Sequence, residues 1–181
     1  MWKPESNINI KINPDDFIAI GIGSNIGDKK KYISHALNLI HQHNNCEIIA
    51  VSRLYKTVPW GNIDQDFFLN AVALVRTKIS PDSLLDILLS IENNLKRQRN
   101  EKWGARTIDL DILLAGKYSS STERLTIPHP YIVQRAFVLV PLADVAPHMV
   151  IHGFSVIDWI KKIDVSGVQV INEGYYWWCD L

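Results

Sequence analysis

The sequence predicts an α+β fold, an antiparallel sheet with helices packed on it. Up to Gly116, short apolar or β-branched runs and amphipathic stretches follow one another in the order strand, helix, strand, strand, helix, strand. That order is typical of the ferredoxin-like βαββαβ sandwich. The chain has 181 residues, 47% of them hydrophobic, and a formal net charge of zero. It therefore has enough apolar residues for a core, and it lacks the net positive charge of a protein that binds a polyanion over its whole surface.

The first strand and the first helix are recognised from their apolar periodicity. The run "FIAIGIGS" (17–24) ends in glycine and serine and is typical of a buried strand. The stretch "DKKKYISHALNLIHQH" (28–43) places Ile33, Leu37 and Ile40 at helical spacing among polar residues. We therefore expect this helix to pack on the sheet through those three side chains.

Three further strands and a second helix complete the pattern. The runs "CEIIAVSRLYKT" (46–57) and "FLNAVALVRT" (68–77) are rich in β-branched residues and are predicted to be strands. The stretch "SPDSLLDILLSIENNLKR" (80–97) opens with a capping serine and a proline, which predicts a helix start. The last strand is "TIDLDILL" (107–114). The apolar stripe of the second helix consists of Leu84, Leu88, Ile91 and Leu95.

We interpret residues 17–165 as one domain, between a polar leader at 1–16 and an aromatic-rich tail at 166–181 without an assigned role. Prolines after Gly116 predict additional short helices beside the sheet. The sequence has no secretory signal, no apolar run near the roughly 20 residues that span a bilayer, and no disulfide framework. We therefore expect a cytoplasmic monomer that binds small molecules and neither nucleic acid nor membranes.

Two carboxylates stand out in the last predicted strand. Successive strand residues point to opposite faces, so Asp109 and Asp111 share one face while Ile108, Leu110 and Ile112 occupy the other. Two carboxylates on one face can converge on divalent cations, and oxygen ligands of this type suit Mg²⁺. The alternative is a solvent-facing strand edge with two ordinary aspartates.

Basic residues flank the aspartate strand on both sides. A pocket with carboxylates for a metal and cations for phosphate could take a metal-bound triphosphate. The alternative for the first of them is a solvated helix end, since cations favour helix C-termini. The basic residues are Lys96, Arg97, Arg99, Lys102, Arg106, Arg124 and Arg135.

Three more features carry possible chemistry. Asn70 faces the same side of its strand as Phe68 and Val72, and its amide could read the edge of a planar heterocycle or bond backbone at a bulge. His129, in "IPHPY", could meet phosphate or cap a turn. The glycine-rich "GIGSNIG" (21–27) fits the spacing of neither the dinucleotide fingerprint nor the Walker loop. We interpret it as a strand-to-helix turn.

Taken together, these motifs resemble the hydroxymethyl-dihydropterin pyrophosphokinase family of folate biosynthesis. The resemblance runs from Ile18 to Pro147 in the family's order, through "VSRLYKTVPWG", "DQDFFLNAV" and "LTIPHPYIVQRAFVLVPLADVAP". Its most specific part is "RTIDLDILL". It implies a ferredoxin-like fold and transfer of pyrophosphate from ATP to 6-hydroxymethyl-7,8-dihydropterin, giving the pterin diphosphate and AMP. Lys96 and Ala105 depart from the glycine and proline usual in the family.

The resemblance also implies a role for each matching residue. Two Mg²⁺ ions and ATP would bind together, with the metals on Asp109 and Asp111, while Phe68 and Phe137 would sandwich the pterin and Asn70 would read its edge. The implied catalytic residues are Arg97, Arg106, Asp109 and Asp111. The implied substrate-binding residues are Thr57, Val58, Trp60, Phe68, Asn70, Trp103 and Phe137. The implied ATP-binding residues are Glu92, Arg99, Ile112, Arg124, Leu125, Thr126, His129 and Arg135.

Two other functions fit part of the pattern. An Asp-x-Asp motif can hold the metal of a nucleotide-sugar glycosyltransferase, but that class predicts a larger α/β domain. A ferredoxin-like RNA-binding module would expect exposed aromatic residues on central strands and a net basic charge. Neither accounts for basic residues on both sides of the aspartate strand together with "LTIPHP".

Overall fold

The structure, a computed structural model, describes residues 17–59, 65–95, 106–171 and 174–179. Within these ranges the helices are α1 Lys29–His41, α2 Pro81–Asn94, α3 Ala136–Val145 and α4 Val156–Ile160, with a short 3-10 helix at Ile132–Gln134. The strands are β1 Ile18–Ser24, β2 Cys46–Val51, β3 Tyr55–Thr57, β4 Phe68–Thr77, β5 Asp109–Ala115, β6 Ser120–Ser121, β7 Thr126–Ile127, β8 Val150–Ile151, β9 Phe154–Ser155 and β10 Val168–Val170.

One antiparallel sheet forms the centre of the molecule. Its strand order is β10-β3-β4-β1-β5, and β2 pairs with the same long strand, β4, as β3 does. The two other pairings, β6 with β7 and β8 with β9, are small hairpins. This arrangement confirms the predicted α+β class with an antiparallel sheet, and none of the helices described is long and apolar enough to cross a membrane.

Helices α1 and α2 begin and pack as the sequence predicts. The side chain of Asp28 accepts a hydrogen bond from the Lys31 N–H at the start of α1, and Ser80 does the same for the Ser83 N–H in α2. The predicted apolar stripes of both helices are buried against one face of the sheet. Short helices α3 and α4 come after β5, as predicted, and α3 packs on the opposite face of the sheet.

The run 46–57, predicted as one strand, is interrupted in the structure. Ser52 breaks the ladder because its hydroxyl, rather than its carbonyl, accepts the Val72 N–H at 2.9 Å. Next in the chain, the Arg53 N–H donates to the buried carboxylate of Asp144 at 3.1 Å instead of to a strand. The prediction of a single strand was wrong, because side chains distant in sequence take over the backbone hydrogen bonds at this point.

The tail residues that the structure describes pack on the domain. Strand β10 pairs with β3, and Trp177 and Trp178 are buried in the core beneath α1 and α2. The indole N–H of Trp177 donates to the carbonyl of Ser52 at 2.9 Å, and the side-chain amide of Asn38 donates to the carbonyl of Trp178 at 3.0 Å. These aromatic residues are therefore part of the core.

Candidate active site

A pocket of about 240 Å³ opens on the face of the sheet that carries α3. Strand β5 places Asp109 and Asp111 on this face, while Leu110 and Ile112 point into the core under α1 and α2. The alternation predicted from the sequence is therefore confirmed. The predicted site residues that line the pocket are Thr57, Val58, Phe68, Asn70, Arg106, Asp109, Asp111, His129, Arg135 and Phe137.

The other predicted site residues that the structure describes lie outside the pocket lining. Glu92 is buried behind β5, where its Oε1 accepts the Leu110 N–H at 2.8 Å. Arg124 forms an exposed ion pair with Asp86. Ile112 and Leu125 are buried in the core, and Thr126 is exposed on β7. The predicted residues that fall outside the described ranges are Trp60, Arg97, Arg99 and Trp103.

Each pocket carboxylate faces one arginine. Arg106 Nε lies 3.3 Å from Oδ2 of Asp109, and Arg135 Nη1 lies 3.8 Å from Oδ2 of Asp111. Withdrawal from bulk water, and then the charge of Asp109, raise the pKa of Asp111 to about 7, against the opposing effect of the two arginines. The Asp111 side chain nevertheless remains 42% exposed to the pocket, so a ligand can reach it.

Each of these arginines also lies beside a phenylalanine. The guanidinium carbon of Arg106 is 5.5 Å from the centre of the Phe68 ring, and that of Arg135 is 5.6 Å from the centre of the Phe137 ring. Both distances are within the range of cation–π attraction. Two rings and two cations thus line the same cavity as the carboxylates, which suits a ligand with a flat aromatic part and an anionic part.

Asn70 is fixed by the strands on either side of it. Its Nδ2 donates to Oγ1 of Thr57 on β3 at 2.7 Å, so the amide bonds a side chain rather than backbone at a bulge. On β1 the residue opposite is Gly23, where an added Cβ would lie 2.8 Å from Oδ1 of Asn70. Glycine at this position therefore makes room for the amide, which leaves Asn70 directed into the pocket.

A β-bulge in β5 positions His129. The pairing of β1 with β5 skips Leu113, whose carbonyl accepts the His129 N–H at 2.9 Å. The His129 Nδ1 accepts the Tyr131 N–H at 3.2 Å, and Nε2 lies 3.4 Å from Arg135 Nη1. Burial, and then the charge of Arg135, lower the pKa of His129 to about 4, so the ring is neutral at physiological pH. His129 thus both caps a turn and lines the pocket.

Asn25 and Gln65 are two polar residues that the sequence did not single out. Asn25 Oδ1 accepts the Arg106 N–H at 2.7 Å, and the Asn25 N–H donates to the Arg106 carbonyl at 3.1 Å. Asn25 Nδ2 donates to Oε1 of Gln65, which lines the pocket, at 3.1 Å. Only 3% of Asn25 is exposed, so this one residue of the predicted glycine-rich turn joins two separate parts of the pocket wall.

Asn25→Ala is expected to lower kcat about tenfold, because the buried Arg106 N–H loses its acceptor at a cost of about 1–3 kcal/mol and Arg106 is released. Steady-state kinetics and thermal melts would measure the effect. Asn38→Ala is the matched control, since its amide bonds Ser34 and Trp178 away from the pocket. The control should lower the melting temperature and leave kcat unchanged. Equal kcat values for the two variants would contradict a role for Asn25 at the site.

Comparison with known proteins identifies the family to which the chain belongs. Residues 19–147 match the model of the family described as 7,8-dihydro-6-hydroxymethylpterin-pyrophosphokinase (HPPK). A 2-amino-4-hydroxy-6-hydroxymethyldihydropteridine pyrophosphokinase from Methylorubrum extorquens is 44% identical over 153 residues, which cover 84% of this chain and 97% of the relative. The enzyme of that name from Bacillus subtilis is 45% identical over 154 residues, covering 85% of this chain and 89% of the relative.

Solved structures agree in fold. The wild-type Plasmodium falciparum HPPK-DHPS with SDX-DHP superposes with a TM-score of 0.67 at 17% identity, over 86% of this chain and 47% of that chain. This chain therefore spans less than half of that solved chain, and the likeness concerns the fold. On the strength of the family match and the bacterial relatives, the chain belongs to the 7,8-dihydro-6-hydroxymethylpterin-pyrophosphokinase family, which transfers pyrophosphate from ATP to hydroxymethyldihydropterin in folate biosynthesis.

Proposed function

We propose that the transfer takes place in the pocket on β5, with the pterin between Phe68 and Phe137 and the ATP phosphates beside Asp109 and Asp111. The observation that carries this proposal is the meeting of an aromatic pair and an acidic pair in one cavity. A flat heterocycle and a polyphosphate that must react with one another need these two environments side by side.

The chemistry of the two aspartates fits two Mg²⁺ ions. Mg²⁺ takes oxygen ligands and commonly uses one or two carboxylates together with substrate phosphates and water. Within the described ranges, no group of three or more His, Cys, Asp or Glu side chains forms a complete metal site. Asp109 and Asp111 would hold the ions, and phosphate oxygens of ATP would complete the coordination. When bound, Mg²⁺ would neutralise phosphate charge that builds up as the bond to AMP breaks.

The pterin end of the pocket would bind by stacking and by hydrogen bonds. Phe68 and Phe137 offer flat apolar faces, and aromatic pairs gain free energy beyond their buried area. Asn70 Oδ1 is an acceptor directed into the pocket, since its Nδ2 already donates to Thr57. We assign the reading of the pterin's polar edge to Asn70, with Thr57 and Val58 as the neighbouring wall.

The phosphate end would use the positive charge of the pocket. Arg106 is well suited to it, because its buried Nε forms an ion pair with Asp109 but no aligned hydrogen bond with any described residue. Arg135 lies beside Asp111, and neutral His129, whose Nδ1 accepts the Tyr131 N–H, can donate one hydrogen bond from Nε2 to a phosphate oxygen. The remaining assignments for ATP and catalysis stay predictions: Glu92, Arg97, Arg99, Ile112, Arg124, Leu125 and Thr126.

In this arrangement the residues act by positioning. The pterin hydroxymethyl oxygen attacks the β-phosphorus of ATP, a new P–O bond forms, and the bond from that phosphorus to the bridging α,β-oxygen breaks. The hydroxyl proton is lost and AMP leaves with the bond's electron pair. Arg106 and Arg135 would hold the transferring group in line and offset its negative charge, so most of the rate gain comes from orientation and electrostatics.

A product assay tests the proposed reaction. With ATP, Mg²⁺ and 6-hydroxymethyl-7,8-dihydropterin, we expect AMP and the pterin diphosphate in equal amounts, because attack falls on the β-phosphorus. Chromatography of the nucleotides would measure the products, and a reaction without pterin is the control. ADP as the nucleotide product would indicate transfer of a single phosphoryl group and would contradict the proposal.

A further inference from the structure

Strand β10 lies beyond the residues that match the family model and yet completes the sheet next to the pocket. The family match ends at residue 147, whereas β10 spans Val168–Val170. It pairs with β3, which has only three residues and carries Thr57 at its end. Without β10, β3 would be held from one side only, by β4.

The ladder between β10 and β3 continues beyond the strands, as far as the pocket. The Ile171 N–H donates to the Leu54 carbonyl at 2.8 Å at one end, and the Val58 N–H reaches the Gly167 carbonyl at 3.4 Å at the other. Val58 lines the pocket and is 65% exposed. The tail therefore bonds directly to the backbone of a residue in the pocket wall.

Gly167 also packs behind the Val58 side chain. A Cβ built at Gly167 would lie 3.0 Å from Cγ2 of Val58, which is closer than ordinary van der Waals contact. A side chain at position 167 would therefore require Val58 to shift by a few tenths of an ångström. The glycine allows the start of the tail to lie this close to Val58.

The tail is anchored again beyond β10. Trp177 and Trp178 are 5% and 8% exposed, and their hydrogen bonds to Ser52 and from Asn38 tie them to the start of the β2–β3 connection and to α1. Residues 167–171 and 174–179 thus contact the stretch from Ser52 to Val58 at both of its ends. Displacing this stretch would require breaking contacts at each anchor.

We infer that β10 is a positioning strand for the pterin subsite, which holds Thr57 and Val58 in place against Asn70. The link to the pterin is short, because Thr57 Oγ1 accepts the Asn70 amide at 2.7 Å and so fixes the group that would read the pterin edge. The inference rests on the proposed function, since it takes this end of the pocket as the pterin subsite.

Two matched glycine variants of the full chain test the inference. Gly167→Val is expected to raise the KM for the pterin about fivefold or more, with kcat and the KM for ATP within about twofold of the unaltered chain. Gly174→Val is the control, because a Cβ at Gly174 would meet no atom of the described residues within 4 Å. It lies in the same tail and should leave all three parameters unchanged.

A backbone variant gives a second route to the same result. Gly167 and Ile171 both bond across the ladder, so Gln169 and Lys56 form the hydrogen-bonded pair between them. Gln169→Pro removes the backbone N–H of Gln169 from this pair and should raise the pterin KM in the same way as Gly167→Val. Melting temperatures of both variants would show that the fold is kept.

Phe137→Ala in the same assays separates failure of the inference from failure of the proposed site. If Phe137→Ala raises the pterin KM and neither tail variant does, the role of β10 is overturned and the pocket assignment stands. If Phe137→Ala also leaves the pterin KM unchanged, the pocket assignment fails and the inference fails with it. A parallel rise in both KM values, or a loss of kcat alone, would mean that β10 only supports the fold and would equally overturn it.

Discussion

Asp111→Asn and Asp109→Asn are each expected to reduce turnover at saturating Mg²⁺ by at least about 10³-fold, while the metal-free fold stays at least as stable. Activity should collapse because charge neutralisation at the phosphates contributes several kcal/mol to the transition state. Stability should not fall, because without metal the two carboxylates repel one another, either substitution removes that repulsion, and the amide oxygen of asparagine can still accept from the neighbouring arginine. Kinetics and metal-free thermal melts of the same preparations measure both effects.

The gain in stability for Asp111→Asn should depend on pH in a defined direction. The pKa of Asp111 is about 7 in the folded chain against an ordinary value of 3.8, so between these values the folded state binds more protons than the unfolded state. The stability contributed by this group is therefore lost as pH rises from about 4 to about 7. Asp111→Asn abolishes the loss, so it should melt higher than the unaltered chain at about pH 8 and equally at about pH 4.

Asp158→Asn is the matched control for this experiment. Its carboxylate accepts hydrogen bonds from Ser155 and Lys161, which lower the pKa of Asp158 below its ordinary value. Its stabilising effect is therefore present at neutral pH and lost on acidification, the opposite sign, and turnover should stay normal. An Asp111→Asn protein that is destabilised at neutral pH and turns over at a near-normal rate would rule out a metal site on β5.

Phe137→Ala is expected to weaken pterin binding about 100-fold and to leave the Kd of a non-hydrolysable ATP analogue within about twofold. The ring supplies stacking and buried area to a flat ligand, and alanine supplies neither. Asp109 and Asp111 lie on β5 rather than on α3, and Arg135 keeps its ion pair with Asp111 when the ring is removed, so the phosphate end should keep its shape. Equilibrium titration of each ligand alone would measure the two affinities.

Phe154→Ala controls for the general loss of an aromatic ring. Phe154 is 46% exposed in the small hairpin β8–β9 and packs on Trp159, away from the pocket. Its replacement should change neither Kd. Equal weakening of both ligands in Phe137→Ala would show that the ring serves only as packing for α3 and would remove it from the pterin subsite.

Features set by local spacing could be predicted from the sequence. A serine directly before a proline and an apolar stripe predicts a helix start, and Ser80 does cap α2. The alternation of side chains along β5 places Asp109 and Asp111 on one face of the sheet. The break at Ser52 could not be predicted, because its cause is a hydrogen bond with Val72 on another strand. A prediction from strand propensity uses only the β-branched residues around Ser52 and therefore gives one continuous strand.

The parts of the candidate site that could not be predicted depend on contacts between distant segments. Asn25 lies in a turn whose glycines fit no phosphate loop, and its partners Gln65 and Arg106 are 40 and 81 residues away. Trp177 is buried in the core and donates to the carbonyl of Ser52, 125 residues earlier in the chain. The periodicity of apolar residues along the sequence does not predict hydrogen bonds between such distant residues. Resemblance to a family predicts only the residues that belong to its shared motifs.

The hydrogen bonding along the β5 border of the sheet bears on solubility. Sheet borders with free backbone groups are templates on which copies of a protein aggregate. On β5 the Leu110 N–H is already bonded by Glu92 and the Leu113 carbonyl by His129, so another chain would have to displace these groups to add a strand. The opposite border is shared by β10, which has three residues, and β2, which has six. The contacts that shape the pocket therefore also protect the β5 border from edge-to-edge association at high concentration.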